Sequence, residues 1–368
     1  MDSGTSELRQ RKAPAPAAAS TASSSISIAS GASSRKCSWC RLLFVYPSIA
    51  IALLILLGPF LLPQPNNEGA RSERELADPD SHFVSLLGVD IHYKEMGQGD
   101  LVFLLYHGTA AHTFSWRKVM APLARYGRVI AYDRPGFGLS SHLVDGEWKD
   151  PKNPYAPSRQ PDIATALLDH LGVKKAVLVG NSNGGQMAIR TALKYPERVT
   201  ALVSADADWL STGIYPSGKY AWLWKTPQWR RLGVWLASKI FSWENAQMMI
   251  DLGYFNSTKF TQAEFAASAK YFGVKNYFHA LWECAMANEP SRLPEEVKMI
   301  SVPTLVIVGA DDRVVPANDQ ALLADLITGA QLTIFNECGH LPQEEQPEKF
   351  VKAVIEFVDS LPRFSNRL

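Results

Sequence analysis

A glycine-flanked serine stands where a predicted strand passes into a predicted helix. The strand Ala176–Val179 leads into Gly180-Asn181-Ser182-Asn183-Gly184-Gly185, and a helical pattern follows. Gly-x-Ser-x-Gly in this strand–turn–helix context holds the serine at the tip of a sharp turn, where small neighbours allow close packing. The N-terminus of the next helix favours negative charge that develops nearby. We therefore predict that Ser182 is a nucleophile.

A serine hydroxyl needs a base that a third group holds in place. In the architecture that carries this turn, the acid follows the serine in the chain and the histidine comes last. Gly309-Ala310-Asp311-Asp312 follows the predicted strand Thr304–Val308, and Cys338-Gly339-His340 follows the strand Gln331–Phe335. This order predicts His340 as the base, with Asp311 or Asp312 as the acid.

An oxyanion formed by attack on a carbonyl needs two backbone N–H donors. The residue after the nucleophile, Asn183, is one predicted donor. The other is expected in the loop His107-Gly108-Thr109-Ala110, which follows the predicted strand Leu101–Tyr106. We assign it to Thr109, with Ala110 as the alternative. His107 is predicted to hold the shape of this loop.

These residues require a scaffold of strands and helices, and the sequence supplies one from residue 81 onward. The predicted strands are Phe83–Leu87, Asp90–Lys94, Leu101–Tyr106, Val129–Tyr132, Ala176–Val179, Ala201–Ser204, Thr304–Val308 and Gln331–Phe335. The predicted helices are Trp116–Arg125, Asp162–Leu171, Gly185–Lys194, Asn318–Ile327 and Pro347–Ser360. Apolar strands alternating with amphipathic helices indicate a mostly parallel α/β sheet with helices on both faces. Ligands bind such sheets at the carboxyl ends of the strands.

The strand pattern is interrupted after Ala207. We predict a helical cap at residues 207–299, inserted in a core formed by residues 81–206 and 300–368. The cap holds seven of the ten tryptophans: Trp209, Trp222, Trp224, Trp229, Trp235, Trp243 and Trp282. Most should form the core of the cap, and some should line a pocket.

The N-terminal region is predicted to anchor the chain to a membrane. Residues 1–41 form an Ala/Ser-rich tail with too few apolar groups to fold. Residues 42–62 are uncharged, and about 20 apolar residues span a bilayer as a helix. A polar linker, 63–80, follows. With 37 basic and 36 acidic residues, the chain lacks the basic surplus of a nucleic-acid binder.

The charges around residues 42–62 predict the orientation. Arg35, Lys36 and Arg41 precede the span without acids, whereas Arg71 and Arg74 are interleaved with acids. A cytosolic N-terminus follows, with the C-terminal part across the membrane. We expect a single-pass protein of the endomembrane system or secretory pathway. The Ser-rich, acid-poor tail also fits a chloroplast or mitochondrial transit peptide.

Several residues outside the triad also have predicted roles. Cys37 and Cys40 stand at the edge of the span, a position at which cysteines can be S-acylated. They have no second pair at zinc-ligand spacing. Cys284 and Cys338 are expected to be buried free thiols. Asn256-Ser257-Thr258 is an N-glycosylation acceptor if the cap is lumenal.

Residues 83–360 resemble the cap-bearing serine α/β-hydrolases. The matching segments are His107-Gly108-Thr109, Tyr132-Asp133-Arg134-Pro135-Gly136-Phe137-Gly138, Gly180-Asn181-Ser182-Asn183-Gly184-Gly185, Gly309-Ala310-Asp311-Asp312 and Cys338-Gly339-His340. The resemblance implies an eight-stranded sheet, a helical cap after the sixth strand and a triad of Ser182, Asp312 and His340. It favours Asp312 because the family acid usually sits three residues after the glycine. It implies no metal and no organic cofactor. Asn183 departs from the Met or Gln common in relatives, which changes the floor of the pocket.

A serine nucleophile supports attack on a carbonyl, an acyl-enzyme and hydrolysis by water. Epoxide hydrolases and haloalkane dehalogenases of this fold use Asp instead. The Trp-rich cap and the predicted anchor resemble membrane-bound monoacylglycerol lipases. We expect hydrolysis of small apolar carboxylic esters, lipid esters among them. The alternatives are a carbon–carbon bond hydrolase, a peptidase and a non-catalytic receptor. The few acids of the cap disfavour a peptidase, and the complete triad disfavours a receptor.

Overall fold

Eight apolar runs form the strands of a single sheet. They are β1 (His82–Leu86), β2 (Val89–Met96), β3 (Val102–Tyr106), β4 (Arg128–Tyr132), β5 (Ala176–Asn181), β6 (Val199–Ala205), β7 (Thr304–Gly309) and β8 (Gln331–Phe335). Their order is β1-β2-β4-β3-β5-β6-β7-β8. The ladder is antiparallel from β1 to β2 and from β2 to β4, and parallel elsewhere. The predicted eight-stranded, mostly parallel sheet is confirmed.

The computed structural model describes residues 41–144, 146–148, 152–211, 221–287 and 289–362. Contacts divide the chain into two units, residues 1–52 and 53–368. Cys37 and Cys40 lie outside the described residues. The described α-helices are α1 (Tyr46–Leu61), α2 (Arg117–Leu123), α3 (Gln160–His170), α4 (Asn183–Lys194), α5 (Ala221–Trp224), α6 (Pro227–Ile240), α7 (Ala246–Gly253), α8 (Gln262–Ser268), α9 (Tyr277–Met286), α10 (Leu293–Glu296), α11 (Ala317–Leu326), α12 (Pro342–Glu345) and α13 (Pro347–Asp359). A π-helical turn, Arg41–Val45, precedes α1.

Two apolar layers cover the two faces of the sheet. Because successive strand residues point to opposite faces, Leu104 and Phe103 of β3 belong to different core clusters. Helices α3, α4 and α11 contribute to the layer around Leu104, and α2 and α13 to the layer around Phe103. All residues of β3, β5 and β7 are buried, and burial on both faces explains why these strands are mostly apolar.

The chain between β6 and β7 is helical over the described residues, from α5 to α10. Its first part packs elsewhere than expected, because Trp209 belongs to the core of the sheet and donates its indole N–H to the carbonyl of Asp319 (3.0 Å). Leu293 and Val297 also pack in that core. Trp222 is 62% exposed. Of the seven tryptophans, Trp209 thus packs against the sheet and Trp222 is exposed, so neither belongs to an interior of the helical segment.

Residues 63–80 contain no helix or strand, yet they pack against the helical segment. Leu76 is buried, and the Arg71 N–H donates to the carbonyl of Gly273 (3.0 Å). The Arg231 side chain of α6 donates from Nε to the carbonyl of Pro59 (3.2 Å) and from a terminal nitrogen to that of Leu62 (3.3 Å). This stretch is thus held in place and is not a free spacer.

Helix α1 has the length and composition of a membrane span. Residues Leu43–Leu61, 19 in number, have a mean hydropathy of 2.2. None of the helix residues is buried in the fold. A signal sequence near the N-terminus would have the same properties.

Candidate active site

The turn between β5 and α4 holds Ser182 in an unusual backbone conformation. Its φ is +56° and its ψ is −129°, a region that non-glycine residues rarely adopt and that clusters at functional sites. The turn persists because the surrounding backbones are very close. A Cβ at Gly184 would stand 2.2 Å from the carbonyl oxygen of Tyr106, and one at Gly180 would stand 2.5 Å from that of Gly184.

The structure brings His340 and Asp312 together. His340 Nδ1 donates to Asp312 Oδ2 at 2.7 Å, and the Asp312 side chain is fully buried. Asp312 Oδ1 accepts from the N–H groups of Val314 (2.7 Å) and Val315 (3.0 Å). Asp311 is exposed. Of the two candidate acids, Asp312 is therefore the one hydrogen-bonded to the imidazole.

The loop that carries His340 is held from both sides. The side-chain amide of Asn181 donates to the His340 carbonyl (2.9 Å), and the His340 N–H donates to the carbonyl of Gly253 in α7 (2.8 Å). Glu345 accepts from the N–H groups of Gly339 (2.6 Å) and Phe255 (3.0 Å). Asn181 and Glu345 were not predicted, since only the folded chain connects them to this loop.

The loop after β3 lies against Ser182. A Cβ at Gly108 would come within 3.1 Å of Ser182 Cβ and 3.6 Å of its Oγ. His107 Nδ1 donates to the Gly108 carbonyl (2.8 Å), and its Nε2 accepts from the Arg134 N–H (2.9 Å). Burial lowers the pKa of His107 to about 3, so it is neutral and fixes the loop. The next residue, Thr109, is exposed and faces the pocket.

Arg134 links the two segments that carry the predicted oxyanion donors. Its guanidinium donates to the Asn183 side-chain oxygen (2.8 Å) and to the Gly108 carbonyl (3.3 Å). It is 3% exposed, and burial lowers its pKa. Asn183, the residue that departs from the family pattern, thus accepts a hydrogen bond from the Arg134 guanidinium. Arg134 belongs to the motif Tyr132–Gly138 that the sequence analysis matched to the family, but its contacts with Asn183 and Gly108 could not be deduced from sequence spacing.

A second carboxyl, Asp206, lies at the end of β6. It is buried and accepts from the Gly309 N–H at 3.0 Å. Burial and then the charge of Asp312 raise its pKa well above the usual range. Asp206 and Asp312 follow neighbouring strands, whose ends meet at one edge of the sheet.

A pocket of about 470 Å³ opens beside these residues. Thr109 and Asn183 line it near Ser182, and aromatic rings of the helical segment form much of its wall. Those rings are Trp224, Trp229, Phe241 and Trp282. The expectation that some tryptophans line a pocket agrees with this arrangement. Cys284 lines the pocket as well, and Cys338 is buried; both are free thiols.

Comparison with known proteins identifies the family. The model for the alpha/beta hydrolase fold matches residues 102–347. A 2-hydroxy-6-oxononadienedioate/2-hydroxy-6-oxononatrienedioate hydrolase of Escherichia coli K12 is 29% identical over 279 residues, which cover 73% of this chain and 90% of the relative.

Solved structures give the same picture. A meta-cleavage product hydrolase from Pseudomonas fluorescens IP01 is 28% identical, with a TM-score of 0.57 over 76% of this chain and 97% of that chain. A membrane phospholipase A, described as a novel bacterial virulence factor, is 25% identical, with a TM-score of 0.60 over 88% of this chain and 98% of that chain.

The fold and the serine turn define an α/β protein of the hydrolase class. The chain belongs to the alpha/beta hydrolase fold family.

Proposed function

We propose that the chain is a serine hydrolase that cleaves carboxylic esters through an acyl-enzyme. The observation that carries the proposal is the placement of His340 against the buried Asp312, in a loop that is hydrogen-bonded to Asn181, the residue before a serine in a strained turn. Asp312 fixes the His340 tautomer with Nδ1 protonated, which leaves Nε2 to accept the Ser182 proton. The Ser182 oxygen then attacks the ester carbonyl.

The negative charge on the carbonyl oxygen needs donors that are already in place. The Asn183 N–H belongs to the first turn of α4, where N–H groups have no partner within the helix. Thr109 supplies the second N–H from the loop that Gly108 brings against Ser182. His340 then protonates the leaving alcohol. Water attacks the acyl-enzyme with His340 again as the base, and Ser182 is restored.

An apolar acyl group is the substrate part that fits best. The helical segment contributes tryptophan and leucine side chains to the pocket wall, and burial of apolar surface is favourable by about 25 cal/mol per Å². The membrane phospholipase A among the structural neighbours supports a lipid ester. We propose residues 207–299 as the cap over the 81–206 and 300–368 core.

A membrane anchor agrees with this substrate. We propose that residues 42–62 span a membrane once, with the N-terminus in the cytosol. The 19 residues Leu43–Leu61 extend about 28 Å as a helix, close to the thickness of the hydrocarbon core. The endomembrane system or secretory pathway is the proposed location, with a chloroplast or mitochondrion as the alternative.

Carbon–carbon bond hydrolysis is the second candidate. It is favoured by the curated relatives and by a meta-cleavage product hydrolase among the solved structures. Turnover of a chromogenic acyl ester and of a vinylogous 1,5-diketone by the purified protein distinguishes the two reactions. A preference for the diketone would replace the ester proposal.

Fluorophosphonate labelling of membranes tests the nucleophile itself. Wild type should be labelled, and Ser182→Ala and His340→Ala should not. Asp312→Asn should lower ester turnover by roughly a thousandfold or more. The amide oxygen would stay on the N–H groups of Val314 and Val315, so the NH2 group would face His340 Nδ1 and favour the tautomer that cannot accept the Ser182 proton at Nε2. Asp311→Asn is the matched control and should stay within a few-fold of wild type. Failure of a folded wild type to label would favour a non-catalytic receptor.

A further inference from the structure

Two arginine side chains line the pocket with nitrogen atoms that have no hydrogen-bond partner. They are Arg134, after β4, and Arg190, on α4. In each, Nε is buried and lacks an acceptor. Buried polar atoms are nearly always paired, so both side chains need an acceptor that the protein itself does not supply.

Neither guanidinium forms an ion pair with a carboxylate in the described part of the chain. Arg134 binds only uncharged oxygens, those of Asn183 and Gly108. Arg190 donates to the Ser291 hydroxyl at 3.0 Å. The charges of Glu289 and Glu296 act on Arg190 from a distance, without a direct ion pair. Glu289 already accepts from the N–H and the hydroxyl of Ser158 (2.9 and 2.8 Å). A buried cation without a counter-ion is unfavourable unless a ligand provides one.

The pocket has little negative charge of its own to oppose an anion. Asp208 is the one carboxyl among the described residues that line it. Burial raises the pKa of Asp208, and even when it is ionised this one carboxylate is outnumbered by the two guanidinium groups of the lining. Both arginines stay protonated, because a guanidinium does not lose its proton in proteins. The pocket therefore attracts anions.

Helix α4 sets the distance between this charge and the reaction centre. Asn183, Gln186, Met187 and Arg190 recur at helical spacing and all line the pocket. Seven residues separate Asn183 from Arg190, or about 10 Å along the helix. Arg190 thus lies two turns beyond the serine turn, whereas Arg134 adjoins that turn.

We propose that the pocket selects ester substrates bearing an anionic oxygen group, a carboxylate or a phosphate, which pairs with Arg190 while Arg134 adds its charge nearer Ser182. The proposal rests on the ester hydrolysis proposed above and names its substrate class. The apolar wall takes the hydrocarbon part of the substrate, and the anion lies on the order of 10 Å from the scissile carbonyl.

Competition against fluorophosphonate labelling tests the subsite without requiring ester turnover. The full-length protein in detergent is labelled in the presence of decanoate, decyl phosphate or decanol. Wild type should be protected by one of the anions at a concentration at least about tenfold lower than by decanol. The better anion identifies a carboxylate or a phosphate as the natural group.

Arg190→Met should remove this tenfold preference, and Arg190→Lys should keep part of it. Arg292→Met is the matched control, since Arg292 is exposed and, among the described residues, its ion pair is with Glu295 in the same turn. If Arg190→Met does not fold, Arg190→Lys is used instead, and it should show a smaller preference for the anions over decanol than wild type does. Equal protection by decanol and both anions in wild type, or an unchanged preference in the folded Arg190 variants, would overturn the proposal.

Ester kinetics separate this proposal from the proposed function. Release of fatty acid is measured from two matched pairs of esters. One pair is 1-acylglycerol and its anionic partner 1-acylglycerol 3-phosphate, and the other is an acyl ester that ends in a methyl group and its partner that ends in a carboxylate. A higher kcat/KM for an anionic partner, lowered in Arg190→Met, supports both proposals. Equal kcat/KM values within both pairs overturn the anion subsite alone. If the protein reacts with the fluorophosphonate but cleaves no ester, the proposed ester reaction is wrong. The competition experiment alone then tests the anion subsite.

Discussion

Two carboxyl groups at neighbouring strand ends have different surroundings. Asp312 accepts hydrogen bonds from two backbone N–H groups and from His340. Asp206 accepts only from the Gly309 N–H in the described structure, with both oxygens in range. Two adjacent buried carboxylates would repel each other, so one is held neutral. The raised pKa of Asp206 assigns the proton to that residue.

Asp206→Asn should change how stability depends on pH. An unfolded Asp loses its proton near pH 4, whereas folded Asp206 retains it to higher pH. The folded state therefore binds more protons in this window, and wild-type stability falls as pH rises through it. The amide variant has no such proton. As pH rises, its unfolding free energy should therefore increase relative to that of wild type by up to about 1.4 kcal/mol per pH unit, which is seen as a rising Tm difference.

Thermal unfolding between pH 4 and pH 8 measures this difference. Asp169→Asn removes an exposed carboxyl and controls for the general effect of one charge. A constant Tm difference between Asp206→Asn and wild type across the range would show that Asp206 is ionised in the folded protein.

The β5–α4 turn depends on backbone contacts that leave no room for side chains. Gly184 stands against the end of β3, at the Tyr106 and His107 carbonyl oxygens. These contacts hold the loop with Gly108 beside Ser182. The close fit of the two elements thus connects the fold directly to the geometry of the site.

Gly184→Ala should destabilise the protein by about 3 kcal/mol or more, because backbone atoms must move to admit the methyl group. A Cβ would meet the Tyr106 carbonyl oxygen at 2.2 Å. Gly273→Ala is the matched control, since its Cβ would have no atom within 4 Å. Chemical unfolding of the two variants measures the difference. Similar unfolding free energies would contradict the tight packing of this turn.

The apolar helix Leu43–Leu61 is not buried in the hydrolase fold, so the fold does not require it for its core. The exposed surface of Leu43–Leu61 is unfavourable in water and favourable in a bilayer. The proposed orientation puts Asn256 on the lumenal side. Asn256 is exposed at the start of a short 3-10 turn, and its side-chain oxygen accepts from the Thr258 N–H (3.1 Å).

In microsomes, endoglycosidase should increase the mobility of wild type and leave Asn256→Gln unchanged. Ser257→Ala keeps the acceptor pattern and should still shift. Protease added outside sealed microsomes should spare the C-terminal part. Digestion of that part, with no mobility shift in wild type, would refute the proposed orientation.

Local sequence patterns were sufficient to predict the sheet, because apolar runs and their alternation with helical patterns can be recognised without tertiary contacts. Each predicted strand lies within two residues of its observed end. The base His340 and a candidate acid, Asp311 or Asp312, could also be predicted, since both follow predicted strands and come after Ser182 in the expected order. The choice of Asp312 over Asp311 came from family resemblance, and the structure shows Asp312 at His340.

The residues that share the site without being neighbours in the chain could be identified only from the folded structure. Arg134 and Asn183 lie 49 residues apart, and they come into contact because β4 and β5 lie on either side of β3 with their carboxyl ends at the same edge of the sheet. The partners of Asp206, the missing acceptor of Arg190 and the packing of Leu76 likewise depend on chain segments far apart in sequence. Burial and pairing of charge arise when such segments meet, so local patterns could not reveal them.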